Sequence, residues 1–317
     1  MTHERHVVFG CNGTVGRGLL EQIVAAGHDA VAVARSGMTD PPTGVTVERA
    51  DAADRDRAAQ VSRGADVIHV AIGIPYPQWA ERFPPVLEGV LHAAKVSGAR
   101  FVWTDNLYCY GPRDEPLRED MAPTHHGRKP ALRARMVERM LEAHERGDTR
   151  VAIVRASDFI GPRAHQAMLG DPFFSRVLKG KAAQFLGDPD LPHTYTHVPD
   201  LVRAQMRIAA DEDAFGRAWH VPNPPTRTTR AIMNDVFARI GREPKIQTMP
   251  GWMLRIAGLF DPTMRELHEL LYQWKRPFVV DDSDFRSRYD LGATAWDEIL
   301  DTTLDYFRRV EAAEGKR

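Results

Sequence analysis

One seven-residue run, Gly10-Cys11-Asn12-Gly13-Thr14-Val15-Gly16, constrains the fold of this chain more than any other feature. It follows a short apolar run, Val7-Val8-Phe9, and leads into a segment with Val15, Leu19, Leu20, Ile23 and Val24 at helical spacing. A strand, a glycine turn and a helix in that order place backbone N–H groups at the positive end of a helix dipole. Glycines there allow a tight turn and the close approach of a pyrophosphate. A second strand, Ala30 to Ala34, begins about 20 residues past the first glycine, which is the context a dinucleotide-binding turn requires.

The apolar runs continue through Val45–Glu48, Val67–Ile72, Arg100–Thr104 and Val151–Arg155. Helical segments are expected between them, from about Phe83 to Ser97 and from Pro130 to Arg146, with Gly98 and Gly147 at their ends. Strand runs that are apolar throughout and separated by helices imply a parallel sheet covered on both faces. The fold class is therefore α/β, a Rossmann-type doubly wound parallel sheet with a smaller, mostly helical C-terminal substrate domain. Residues 1–160 form the dinucleotide-binding domain and 161–317 the substrate-binding region, with later strands such as Trp219–Val221 returning to the first sheet. A helix is expected at Thr229–Gly241 and a long one at Met253–Trp274.

Of 317 residues, 43% are hydrophobic and 27% charged, and 42 Lys plus Arg against 43 Asp plus Glu leave a net charge of −1. That balance offers no global attraction for nucleic acid or anionic lipid. Two cysteines, Cys11 and Cys109, are too few for a disulfide framework or a cysteine zinc site. No basic segment followed by an apolar stretch opens the chain, and no apolar run reaches membrane-spanning length. A cytoplasmic protein with a small-molecule substrate and no membrane or nucleic-acid partner is expected, with a homodimer admitted.

The end of the second strand decides the cofactor. An acidic residue there would grip the ribose 2′-hydroxyl of NAD, but this chain has Arg35-Ser36, which suits the 2′-phosphate of NADP. NADP is the expected cofactor, with NAD second. Asp51, just past the third strand, is placed to accept from an adenine amino group. Ala71-Ile72-Gly73 closes the fourth strand with small residues that allow close approach, and Thr104 ends the fifth. The expected cofactor contacts are thus Gly10, Asn12, Gly13, Thr14, Val15, Gly16, Arg35, Ser36, Asp51, Ala71, Ile72, Gly73 and Thr104.

These pieces in this order resemble the extended short-chain dehydrogenase/reductase family, the relatives of nucleotide-sugar epimerases and dehydratases. The resemblance also rests on Tyr110-Gly111-Pro112, on Arg155 followed by Gly161-Pro162, and on Thr196-His197-Val198-Pro199-Asp200. It implies a Ser or Thr near the end of strand five and a Tyr-x-x-x-Lys on the next helix. The Tyr would carry the proton at the substrate oxygen, and the Lys would lower its pKa and hold a ribose. In this chain the Ser position falls on Asn106, the Tyr position on Pro130 and the Lys position on Ala134. The usual triad is absent, which is the pattern of an atypical member.

Three residues stand in as catalytic candidates: Tyr108 for the proton, Asn106 to polarise a carbonyl, and Lys129, one residue before the vacant Tyr position. His125 and His126 lie in the preceding loop and read as a polar pair. His193, His197 and Asp200 have metal-like ingredients interrupted by Pro192 and Pro199, so no metal site is expected. Cys109 reads as a buried thiol. The apolar segment Met249–Phe260 fits a substrate pocket, a core or a dimer face, and no spacing singles out Arg163, Arg176 or Lys179 as diphosphate ligands. The leading expectation is an NADP-dependent reductase or dehydrogenase of a small or medium carbonyl or alcohol. The alternatives are a sugar-nucleotide epimerase or dehydratase and a non-catalytic NADP-binding sensor.

Overall fold

In the computed structural model, which describes residues 3–249 and 258–314, the chain divides into two units. The first comprises residues 1–111, 119–156 and 201–221; the second comprises residues 112–118, 157–200 and 222–317.

The first unit is built on seven strands: β1 (Arg5–Phe9), β2 (Asp29–Ala34), β3 (Val45–Arg49), β4 (Val67–Val70), β5 (Arg100–Asp105), β6 (Val151–Arg155) and β11 (Arg217–His220). Their order across the sheet is β11-β6-β5-β4-β1-β2-β3, and every pairing is parallel. The order reverses between β1 and β4, so their carboxyl ends diverge into the crevice where such sheets bind ligands. Val7, Val8, Val31, Ala32, Val67, Ile68, Phe101 and Val102 are nearly inaccessible to solvent, as the unbroken apolar runs require.

Helices α1 (Thr14–Ala25), α2 (Arg55–Val61), α3 (Trp79–Ser97) and α4 (Arg128–Glu145) connect these strands. Two start earlier than sequence periodicity predicts. Helix α3 begins at Trp79 rather than Phe83 and carries Pro84 and Pro85 inside it. The missing N–H groups would have bonded the carbonyls of Ala80 and Glu81, whose residues face solvent along with both prolines, so water replaces what proline removes. Trp79 is fixed by its Nε1–H bond to the Ile74 carbonyl at 2.7 Å. Helix α4 begins at Arg128, so Lys129 lies in its first turn. Pro130 is tolerated there because first-turn N–H groups have no intrahelical partner. Strand β4 ends at Val70, two residues earlier than expected, where the chain turns to meet the Gly10 loop.

The second unit holds three two-stranded sheets: β7 (Asp158–Ile160) with β10 (Tyr195–His197), β8 (Ala183–Leu186) with β13 (Ile246–Met249), and β9 (Pro192–His193) with β12 (Arg227–Thr228). Helices α5 (Asp171–Val177), α7 (Thr229–Arg239), α8 (Pro262–Leu270), α9 (Ser283–Tyr289) and α10 (Trp296–Glu314) surround a core that includes Phe173, Phe174, Phe185, Tyr195, Phe237 and Phe307. Helix α6 (Val198–Ala209) begins in this unit and continues in the first. The helix expected over Met253–Trp274 is corrected where it is described. Asp261 caps a new start at Pro262 by accepting from Thr263 N (2.7 Å) and Met264 N (3.4 Å), and Leu271–Trp274 tighten into a 3₁₀ turn. Of the apolar segment Met249–Phe260, residues 250–257 lie outside the described residues.

Candidate active site

The glycine loop separates two reasons for glycine. At Gly10, φ is +86° and an added Cβ would stand 2.4 Å from the Ala71 carbonyl oxygen. At Gly16 it would stand 2.3 Å from the Gly10 carbonyl oxygen. Both positions are closed by the protein's own backbone. Gly13 differs: its φ is −76°, an ordinary value for any residue, and a Cβ would come no closer than 3.4 Å to Gly10 O. The exposed space above Gly13 is a cradle that a side chain would fill. Helix α1 starts there with no side-chain cap and no acidic residue in its first turn. An uncapped, acid-free helix start over an open cradle fits a pyrophosphate.

Arg35 and Ser36 are exposed just past β2. The Asn12 amide nitrogen donates to Gly37 O at 2.8 Å and ties the glycine loop to this turn. Asp51 accepts from Ala53 N at 3.0 Å and from the Arg82 guanidinium at 2.9 Å. Burial, the largest influence, pushes its carboxyl up, but these bonds and the charges of Arg82 and Arg35 outweigh it, so its pKa lies below the usual value. Gly89 lets α3 seat on this loop, since a Cβ there would stand 2.0 Å from Ala52 O. Ala71 and Ile72 are half-buried at the mouth of the crevice, and Gly73 faces open space.

Beyond β4 and β5 the expected catalytic residues meet partners that sequence spacing does not reveal. The hydroxyl of Tyr108 lies 2.9 Å from that of Tyr76. Lys129, buried in the first turn of α4, sets Nζ 5.6 Å from the centre of the Tyr76 ring. The Trp79 ring packs against both phenols, at 5.1 Å from Tyr76 and stacked at 5.9 Å from Tyr108. Arg133, one turn after Lys129, lays its guanidinium 4.4 Å from the Trp79 ring and 4.0 Å from Phe83, and pairs with Asp105 at 3.2 Å. Burial lowers the Arg133 pKa, with Asp105 opposing. Asn106 accepts the Tyr108 N–H at 3.0 Å through its side-chain oxygen and so fixes the turn bearing Tyr108. Thr104 donates to Gln205 Oε1 at 2.8 Å.

The remaining residues have structural partners. Tyr110 bonds His220 Nε2 at 2.8 Å and the Arg155 guanidinium, and burial raises its pKa. Burial also pushes the Cys109 thiol up to about 11, too high for a nucleophile at neutral pH. His125 is exposed beside Glu138 at 3.4 Å. His193 pairs with Asp158 at 2.7 Å, whereas His197 faces Asp200 at 3.4 Å, so the two imidazoles serve different carboxylates. Tyr76, Trp79 and Arg133 were not singled out by sequence; their aromatic spacing after β4 and the Lys129–Arg133 interval of one helical turn are the signals that carry them.

A profile of the NAD dependent epimerase/dehydratase family matches residues 6–221, more than half of the chain. The chain belongs to that family. It is an enzyme of the epimerase/dehydratase class built to hold a nicotinamide dinucleotide. A comparison with curated proteins returns no relative. Solved structures with the same fold include UDP-glucuronic acid 4-epimerase from Bacillus cereus in complex with UDP-glucuronic acid and NAD, at TM-score 0.78 and 15% identity over 96% of this chain and 99% of that one. MoeE5 in complex with UDP-glucose and NAD superposes at TM-score 0.79 and 20% identity, with the same coverage. The Bordetella bronchiseptica enzyme WbmH with NAD+ gives TM-score 0.72 and 18% identity over 97% and 99%. Within the epimerase/dehydratase family this chain replaces the Tyr-x-x-x-Lys by the Tyr76–Tyr108 pair, Lys129 and Arg133. No described helix is long and apolar enough to cross a membrane.

Proposed function

We propose that this protein is a nicotinamide-dinucleotide-dependent epimerase or dehydratase of a sugar nucleotide, in which the Tyr76–Tyr108 phenol pair handles the substrate's hydroxyl proton. The observation that carries the reading is the 2.9 Å contact between those two hydroxyls at the carboxyl edge of the sheet, with the Lys129 ammonium over the Tyr76 ring. Family membership and the sugar-nucleotide ligands of the solved relatives support a nucleotide sugar ahead of the small carbonyl expected from sequence.

The bound dinucleotide supplies a hydride donor and acceptor. Gly10, Gly13 and the N–H groups opening α1 hold its pyrophosphate, and Asp51 faces the adenine end. Tyr108 accepts the proton of a substrate hydroxyl and returns it, with Tyr76 as hydrogen-bond partner sharing the charge. Two cations, Lys129 and Arg133, favour the phenolate. Trp79 covers the pair and keeps bulk water from it. Arg35-Ser36 supports NADP over the NAD seen in the relatives, through a guanidinium and a hydroxyl on a 2′-phosphate.

The test is a panel of UDP-sugars with NAD or NADP, followed by proton NMR of the sugar and by absorbance of reduced cofactor. Sugar inversion or water loss without net cofactor reduction supports the proposal. Stoichiometric NADPH consumption with simple aldehydes or ketones, and no change in any nucleotide sugar, overturns it in favour of a carbonyl reductase. No turnover with intact cofactor binding would make the protein a sensor.

A further inference from the structure

At the opposite edge of the sheet, where β1 and β2 begin, Glu4, His6 and His28 bring one ligand atom each to within 4.8 Å of one another. Among the described residues this is the one group of three metal-ligating side chains that converges so closely. Glu4 and His6 flank the start of β1, and His28 sits in the turn between α1 and β2, 24 residues from Glu4. Neither spacing resembles a metal motif, so strand pairing alone creates the cluster.

His6 is 98% buried, and its Nε2 has no hydrogen-bond partner. An orphaned buried ring nitrogen costs stability unless something meets it. That nitrogen is aimed at Glu4 Oε2, 3.3 Å away but misaligned for a hydrogen bond. A tetrahedral zinc with bonds of about 2.0–2.1 Å separates neighbouring ligand atoms by about 3.3 Å. The His6–Glu4 spacing is therefore the edge of such a site.

The surrounding bonds orient the other ligands. His6 Nδ1 lies 3.0 Å from His69 Nε2, so a His6 Nδ1–H donating to His69 leaves Nε2 as a lone pair, the arrangement that fixes metal-bound imidazoles. His28 Nδ1 accepts from Glu4 N at 3.2 Å, which turns the unprotonated edge of that ring toward the same segment. The other Glu4 oxygen pairs with Arg100, whose guanidinium also donates to Ala209 O at 2.7 Å. A carboxylate divided between a guanidinium and a metal is thereby held in place, while the Arg100 charge weakens the affinity.

We propose that Glu4, His6 and His28 form a binding site for a divalent transition metal of the zinc type, with a water completing the tetrahedron. Two imidazoles and one carboxylate suit zinc and cobalt and disfavour magnesium and calcium. Occupancy would pin the start of β1 to the α1–β2 turn. It would also set the direction of a buried hydrogen-bond chain that runs from His6 through His69 and Gln205 (3.2 Å) to Thr104.

The experiment uses untagged, chelator-treated protein titrated with Zn²⁺ by calorimetry and with Co²⁺ by visible absorption. One equivalent of Zn²⁺ with the intense d–d bands of tetrahedral Co²⁺ is the expected result. His28→Ala and Glu4→Gln should each weaken binding about tenfold or more, and His3→Ala should leave it unchanged. His28 is only half-buried, so its variant keeps the test valid if His6→Ala does not fold. Absence of binding, weak octahedral Co²⁺ spectra, or binding that survives His28→Ala would overturn the site.

Discussion

The phenol of Tyr108, from the turn after β5, and the phenol of Tyr76, from the turn after β4, share one hydrogen bond of 2.9 Å although 32 residues separate them. One of the two hydroxyls donates to the other, so only one of them has its own proton turned outward. Tyr108→Phe should lower kcat about 10²- to 10⁴-fold with KM and cofactor binding little altered, as expected for loss of a general acid–base group. Tyr76→Phe removes a partner instead, so its loss in kcat should be smaller and should come with a raised apparent pKa on the alkaline side of the pH–rate profile. Normal turnover by Tyr108→Phe would end this assignment.

Cofactor choice turns on Arg35. Arg35→Ala removes one charge-assisted contact to a 2′-phosphate, so NADPH should bind about tenfold to a hundredfold more weakly while NADH is unaffected. Fluorescence titration of both reduced cofactors reads this directly, and equal affinities in the parent protein would refute the NADP preference.

Gly10 and Gly13 should respond in opposite ways to the same added methyl group. Gly10→Ala, at φ +86° and 2.4 Å from Ala71 O, should destabilise the protein by about 2–4 kcal/mol. Gly13→Ala should keep the parent's melting temperature and lose cofactor affinity. Calorimetry and cofactor titration on the two variants separate folding from binding.

Asp200 governs the acid side of stability. Burial, the largest influence, raises its pKa, but bonds from His197 and from Thr294, whose N and Oγ1 each lie 2.7 Å away, bring it below the usual value. A depressed folded pKa contributes stability that is fully present above the unfolded value of about 3.9 and is lost as pH falls through the folded value. Asp200→Asn should cost about 1–3 kcal/mol at neutral pH and flatten the fall in melting temperature toward acid. An unchanged acid limb would assign that stability elsewhere.

The first unit was legible because its strands are buried on both faces. Runs such as Val7-Val8-Phe9 and Val151–Arg155 have to be apolar throughout, and the glycine loop marks the first crossover. The second unit resisted because its strands span only two to four residues, as at Pro192–His193, too short to show a period. The break at Asp261-Pro262 was missed because apolar residues continue past it while the cap depends on one carboxylate. At the site, Tyr108, Asn106 and Lys129 could be found by counting along known spacings. Tyr76, Arg133 and the Glu4–His6–His28 group could not, because each becomes a neighbour only through strand pairing or helix docking.

Helix α3 touches both ends of the candidate site. Its first residue, Trp79, covers the phenols, its second turn sends Arg82 to Asp51, and Gly89 lets its middle lie on the backbone of Ala52. A single rigid rod thus works as a gauge block: the span from the reacting end to the adenine end is set before any ligand arrives. A ligand of matching length loses its own freedom on binding but does not have to order the protein, whereas one of the wrong length would have to bend a helix to fit.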